Sequence, residues 1–394
     1  MANIVIVEAV RTPVGRYGGA LRSLNSGELA AITIRESISR AGLSPDLVDE
    51  VILGEVRQTT ESSNVARVAA LRAGVADTSP AFTINRLCAS GMQAVASAVQ
   101  QIQSGQAEIL IAGGTESLSH APVYLRDSRF GGDKTKLVDS NLEAGQQPVE
   151  LFGEKLGMGI TAENVADCYH ISREEQDSFA VESQRRAALA IEKGAFTNEI
   201  VPVEVKSRKK NSKVEQDEHP RPGTTIEKLS TLKPVFKENG TVTAGNSCGR
   251  NDGAVAMLVM TEEKARELQL KPLARIIDWA TSGVSPEIMG IGPIPAVMKL
   301  LKRTGKNLKE IGLIELNEAF AAQALAVIRE LDLDMDKVNV NGGAIALGHP
   351  LGATGVRILT SLMYEMRSRD ERFGIATLCV GGGQGMAMMV ENIN

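Results

Sequence analysis

The sequence predicts an α/β protein made of two similar βαβαβ-type halves, with a loop-rich insertion interrupting the first. Three observations carry that prediction. Runs of strand-forming residues alternate with stretches of helical spacing at both ends of the chain. Two segments, one after Cys88 and one after His349, repeat apolar residues at the same +3, +4, +3 spacing: Met92, Val95, Val99, Ile102 and Val356, Leu359, Met363, Met366. Between 115 and about 245 the alternation stops.

NIVIVEA opens as a strand. Residues 28–42 place Ala31, Ile34, Ile38 and Ala41 on one helical face and stop at Gly42. VILGEV (51–56), SNVARVAALRAG (63–74) and AFTINRL (81–87) follow as strand, helix and strand. The helix after Cys88 leads into AEILIAGG (107–114), a buried strand, and the whole series implies a largely parallel sheet. Inside the interruption, ISREEQ starts a helix, because Ser172 and Glu175 have capping-box spacing. The mixed-sign run at 206–218 reads as a solvated hairpin. From about 270 come PLARIIDWA (strand), PIPAVMKLLKR (helix), LIELNEAFAAQALAVIREL (strand, then helix) and VNVNGG (strand). The helix of GHPLGATGVRILTSLMYEM and the strand of FGIATLCVGGG close the second half. The halves are accordingly set at 1–268 and 269–394, the inserted loop domain at about 119–245.

At 394 residues the chain is long enough for two or three packed domains. A net charge of -5 argues against a general nucleic-acid binder, and 3% aromatics against base stacking or a membrane belt. No apolar run approaches the roughly 18 residues of a membrane span, and the N-terminal stretch lacks signal-peptide form. Cys88, Cys168, Cys248 and Cys379 lie far apart without a CxxC pair, so neither a zinc site nor a disulfide framework is expected. A reducing cytoplasm follows.

Chemistry is concentrated at strand-to-helix junctions. Cys88 precedes small residues at a helix N-terminus, whose free N–H groups and dipole favour a thiolate; by itself it reads equally as a buried structural cysteine. GGAIALGHPLGATG (342–355) fixes His349 in a turn with five glycines, where an imidazole suits deprotonation of a thiol. CVGGGQG (379–385) sets Cys379 at a strand end, and NEAFAAQ (317–323) offers Asn317, which also reads as a simple N-cap. His120, His170 and His219 read as structural or surface groups, and Cys168 as a core residue of a helix.

NRLCASGMQAV, NEAFA, NGGAIALGHPLGATG and CVGGGQGMA, in that order, resemble the thiolase family. RTPVG, AGGTESLS (112–119), GMGITAENVA (157–166), DEHPRPGTT (217–225) and TVTAGNSCGRNDGA (241–254) match it too, so the resemblance covers essentially the whole chain. It implies the thiolase fold, a five-layered αβαβα core, and reversible thioester Claisen chemistry on acyl units carried by coenzyme A. Cys88 matches the family's acylated nucleophile, His349 its activating base and Cys379 the acid/base at the α-carbon. Asn317 matches the residue that holds an oxyanion-hole water. The N–H groups of Cys88 and Gly381 match the second oxyanion hole. Arg221, Ser247 and Cys248 match the CoA-binding region, and Met158, Met289 and Phe320 the acyl-pocket lining. Two positions depart from the family pattern: Gly157 stands where a pocket histidine is common, and Cys248 where a serine touches the pantetheine arm.

The resemblance implies an acetyl-CoA acetyltransferase, with a broader-chain 3-ketoacyl-CoA thiolase and an inactive CoA- or lipid-binding scaffold as alternatives. A ketoacyl synthase would need a second histidine in the role of Cys379. Acyl-CoA and CoA are the expected partners, as substrates and products rather than cofactors, with no metal, nucleic acid or membrane. A homotetramer, or a homodimer, is the expected assembly.

Overall fold

The computed structural model describes residues 2–393 apart from 127, 133–134, 144 and 207–210. The first half runs β1 (Ile4–Arg11), α1 (Ser26–Ala41), β2 (Glu50–Gly54), α2 (Val65–Ala73), β3 (Ala81–Ile84), α3 (Ser90–Gln103) and β4 (Ile109–Ser117). After an insertion holding α4 (Met158–Cys168) and α5 (Arg173–Glu192), β5 (Asn251–Thr261) completes it. The second half runs β6 (Ala274–Gly283), α6 (Pro293–Thr304), β7 (Leu313–Leu316), α7 (Ala321–Glu330), α8 (Leu351–Arg369), β8 (Phe373–Val380) and β9 (Gln384–Glu391). Helix ends follow the sequence signals: Gly42 caps α1 at φ 64, and Ser172 and Glu175 close a capping box on α5.

Strand order in the first half is β3-β2-β4-β5-β1 and in the second β7-β8-β9-β6. The halves share an edge, Ile4–Ile6 of β1 against 274–276 of β6. Five layers result. Helices α1 and α2 cover one outer face through Leu29, Ile34, Val65 and Ala69, and α6 and α7 cover the other through Val297, Leu300 and Val327. Between the two halves of this continuous sheet lie α3 and α8, and all eight apolar residues that defined the repeat are buried there in one cluster. Each is a side chain worth roughly 1.5–3 kcal/mol when removed from water. Helices α3 and α8 touch backbone to backbone: a Cβ at Gly91 would lie 2.6 Å from the Gly352 carbonyl oxygen. Only glycine permits that crossing.

The sheet differs from the expected, largely parallel one. Among the described residues only the strand pairs β2–β3, β2–β4 and β7–β8 are parallel, because β5 and β9 insert antiparallel between the others. Strand β9 folds straight back from β8 through a turn in which Gly382 and Gly383 have φ of 77 and 82. VNVNGG is a single bridge, Val338 to Ile314, rather than a strand. Asn339 turns left-handed there (φ 47), and its amide takes both the N–H and the C=O of Leu316 at 2.8 Å. Cys168 ends α4 and is exposed, so it does not belong to the core. Among the described residues no helix is long and apolar enough to cross a membrane.

The charged run does form a hairpin, Val203–Val205 against Ser212–Val214, although its residues 207–210 lie outside the described ones. Its far end is not solvated. Asp217 is buried and takes two hydrogen bonds from Arg11 (2.6 and 2.9 Å), whose Nε also reaches Glu199 at 2.6 Å. Breaking a buried pair strands a charge in low dielectric. Asp217→Ala is therefore expected to lower unfolding free energy by about 3 kcal/mol, read from urea midpoints at constant m-value.

Candidate active site

Cys88 sits on a strained elbow between β3 and α3. Leu87, just before it, has φ 47, an unusual conformation for a side chain of that size. Ser90 holds the elbow shut: its Oγ donates to Leu87 O at 2.6 Å and accepts from Arg86 N at 2.9 Å. Burial pushes the Cys88 thiol up to about 11, against the N–H groups of Gly381 and of Cys88 itself, which pull it down. The helix end alone does not leave a resting thiolate.

His349 is buried in the turn before α8. Thr354 Oγ1 donates to Pro350 O at 3.0 Å and so receives the hydrogen of His349 Nδ1 at 2.6 Å. That assignment leaves Nε2 unprotonated. Burial, then the charge of Arg357, pulls its pKa down to about 3, and the ring is neutral near pH 7. Asn251 fixes the turn by accepting from His349 N at 2.9 Å.

Cys379 is 1% exposed at the end of β8, and burial raises its thiol well above the ordinary value, helped by Cys88 and Cys248. Asn317 follows β7 with its backbone N–H on Thr377 O at 3.0 Å. It is no N-cap, since α7 starts at Ala321 behind Phe320. Both polar atoms of its buried amide lack a partner. A buried amide in that state is an unusual feature in a folded core.

One cavity of about 620 Å³ gathers Cys88, His349, Cys379, Gly381, Cys248, Met158, Met289 and Phe320. Phe320 meets Phe236 edge-on, ring centroids 6.2 Å apart. A second cavity of about 550 Å³ adjoins it and contains Arg221, Ser247 and Cys248; Cys248, Gly249, Val235 and Phe236 line both. Ser247 donates its hydroxyl to Thr243 O at 2.7 Å, and Arg221 is exposed at the rim. Asn317 is not among the residues that line the first cavity. Val235, Phe236 and Arg57 line the first cavity without having stood out in the sequence, for no motif marks an apolar or basic residue of a loop. Among the described residues no cluster of three or more His, Cys, Asp or Glu is arranged to hold a metal.

Residues 4–263 match the family described as Thiolase, N-terminal domain, and residues 270–392 the Thiolase, C-terminal domain. The chain belongs to the thiolase family. This thiolase is 51% identical to the acetyl-CoA acetyltransferase of Escherichia coli (strain K12), covering 100% of each chain. It is 50% identical to a probable acetyl-CoA acyltransferase of Staphylococcus epidermidis over 99% of both. The crystal structure of the Bacillus anthracis acetyl-CoA acetyltransferase superposes with a TM-score of 0.96 at 48% identity, covering 100% of this chain and 99% of that one. That of human mitochondrial 3-ketoacyl-CoA thiolase gives 0.95 at 43%, with the same coverage. The thiolase fold and membership of an acyltransferase family are thereby shown.

Two histidines of this thiolase are held neutral by burial, His349 with a pKa of about 3 and His219 with one of about 4. As pH falls through 6.5, the unfolded chain takes up both protons and the folded chain does not. Stability is therefore lost progressively below pH 6.5, and the loss from His219 is complete near pH 4. In His219→Gln the urea midpoint should fall less between pH 7.5 and 5 than in the wild type.

Proposed function

We propose that this thiolase interconverts two acetyl-CoA with acetoacetyl-CoA and CoA through an acylated Cys88. The observation that carries the reading is the meeting, in one cavity, of the Cys88 thiol, the imidazole of His349 and the Cys379 thiol. In the cleavage direction His349 takes the Cys88 proton and the sulfur attacks C3 of acetoacetyl-CoA. The C2–C3 bond breaks, its electron pair passes to C2, and Cys379 delivers the proton that completes acetyl-CoA. The Cys379 thiolate then takes the proton of the CoA thiol, whose sulfur attacks acetyl-Cys88 and releases a second acetyl-CoA, while His349 returns its proton to Cys88. Oxyanions are met by the N–H groups of Cys88 and Gly381, and by His349 with a water held by Asn317; each donor is worth roughly 3 kcal/mol. Arg221, Ser247 and Cys248 receive the CoA arm, and Met158, Met289 and Phe320 the acyl group. No resident cofactor is needed, because CoA is both substrate and product.

A broader-chain 3-ketoacyl-CoA thiolase is the second reading, and Gly157 favours it. A Cβ added there meets nothing within 4 Å, so the cavity wall keeps free space where the family often has histidine. The reading places the enzyme in the cytoplasm as a homotetramer or homodimer, supported by the exposed Leu125, Phe130, Leu137 and Leu142 of one loop. An inactive scaffold is disfavoured by the joint presence of Cys88, His349 and Cys379 at the cavity.

Incubation with acetoacetyl-CoA and CoA should consume the 3-ketoacyl absorbance; no loss at high enzyme concentration would sink the proposal. Cys88→Ser should abolish acylation, whereas Cys379→Ser should still acquire acetyl label on Cys88 but lose condensation. Label persisting in Cys88→Ser would overturn the role of Cys88. Rates with C4, C8 and C12 3-ketoacyl-CoA separate the two chain-length readings: the acetyl-specific enzyme falls steeply beyond C4. Gly157→His should steepen that fall further.

A further inference from the structure

AGGTESLS contains a buried carboxylate that the proposed chemistry leaves unused. Glu116, near the end of β4, is fully enclosed and accepts three backbone hydrogen bonds. Its Oε2 takes the N–H of Val56 (3.1 Å) and of Gly352 (2.8 Å), and its Oε1 the N–H of Arg57 (2.9 Å). Gly352 lies in the first turn of α8, three residues after His349. From Val56 the connection continues to the nucleophile. Val56 O accepts from Asn85 Nδ2 at 3.4 Å, and Asn85 Oδ1 accepts from the N–H of Leu87 at 2.9 Å, the residue before Cys88. A single carboxylate thus joins the turn bearing the base to the elbow bearing the thiol.

We propose that Glu116 is a positioning residue that sets the distance between the Cys88 elbow and the His349 turn. The inference rests on the thiolase reading of those two residues. Three N–H donors and no acceptor around it suit a carboxylate rather than an acid. Glu55 is the neighbour that keeps it so. It is fully buried, and burial together with the charge of Glu116 pushes it up to about 8 against a side-chain hydrogen bond with Ser26. Burial also raises Glu116, to about 7, while its three amides and the nearby Arg57 oppose the rise. With three N–H donors aimed at Glu116, the negative charge of the pair is held there and the proton on Glu55.

Glu116→Gln keeps the shape but can offer only one accepting oxygen to three amides. With acetoacetyl-CoA and CoA its kcat should drop about 10- to 100-fold, the penalty of a slightly misplaced pair. KM should stay within about threefold, since ground-state binding is untouched. Alkylation of Cys88 by iodoacetamide should slow about tenfold, because the base no longer meets the thiol. Asn85→Ala, which cuts the same connection on the elbow side, should reproduce this pattern, and the double variant should lose no more than the worse single one. A folded Glu116→Gln with wild-type kcat and alkylation rate overturns the proposal, as does a loss that resides in KM. If Glu116→Gln does not fold, Asn85→Ala decides by the same measurements. A wild type unable to cleave acetoacetyl-CoA refutes the proposed function instead, and the iodoacetamide comparison still tests the role of Glu116.

Discussion

Two helices that touch through glycine determine this site. Helices α3 and α8 occupy equivalent places in the two halves, and they cross where Gly91 meets Gly352 and Gly355 meets Met92. Each helix begins just after a residue that lines the cavity, Cys88 or His349. Any side chain larger than hydrogen at the crossing would separate the N-termini and, with them, the Cys88 thiol from the His349 imidazole. The eight apolar residues buried between the halves of the sheet keep the helices pressed together along their length. Packing in the middle layer is therefore what converts a duplicated scaffold into a reaction centre.

The same burial determines the resting electrostatics. Cys88, Cys379 and Cys248 are all pushed toward the thiol form, and His349 toward the neutral ring, in each case chiefly by loss of water. At rest these four side chains carry no charge. In the proposed reaction charge is created by proton transfer inside a cavity where the N–H groups of Gly381 and Cys88 are already aimed at the Cys88 sulfur. Such fixed donors need no reorganisation when the charge develops.

Much of this was legible in the sequence because it is local or periodic. Spacing of Met92–Ile102 and Val356–Met366 identified a helix repeated in both halves, Ser172 with Glu175 identified a helix start, and small residues behind Cys88 identified the strand-to-helix junction. What escaped depends on distant partners. Strands β5 and β9 carry no helix before them, and alternation alone could not reveal their antiparallel insertion. Asp217 looked like one more charge in a solvated run until Arg11, some two hundred positions earlier, was seen to claim it. The left-handed turn at Leu87 is imposed by Ser90 and Asn85, and nothing in a leucine announces it. Phe236 and Val235 belong to an insertion without periodicity, so only the folded chain shows them at the cavity.

The half-strand at Val338 leaves the two copies of the plan unequal at their margins. In the first half β3 ends the sheet, with its outer row of peptide groups turned away from β2. In the second half the corresponding place beside β7 is taken by one side chain, Asn339, whose amide stands in for a peptide group against Leu316. A duplicated architecture has thereby acquired polarity: at one rim Asn339 takes both peptide groups of Leu316, whereas at the other Asn64 takes only the carbonyl of Ala81, at 2.9 Å.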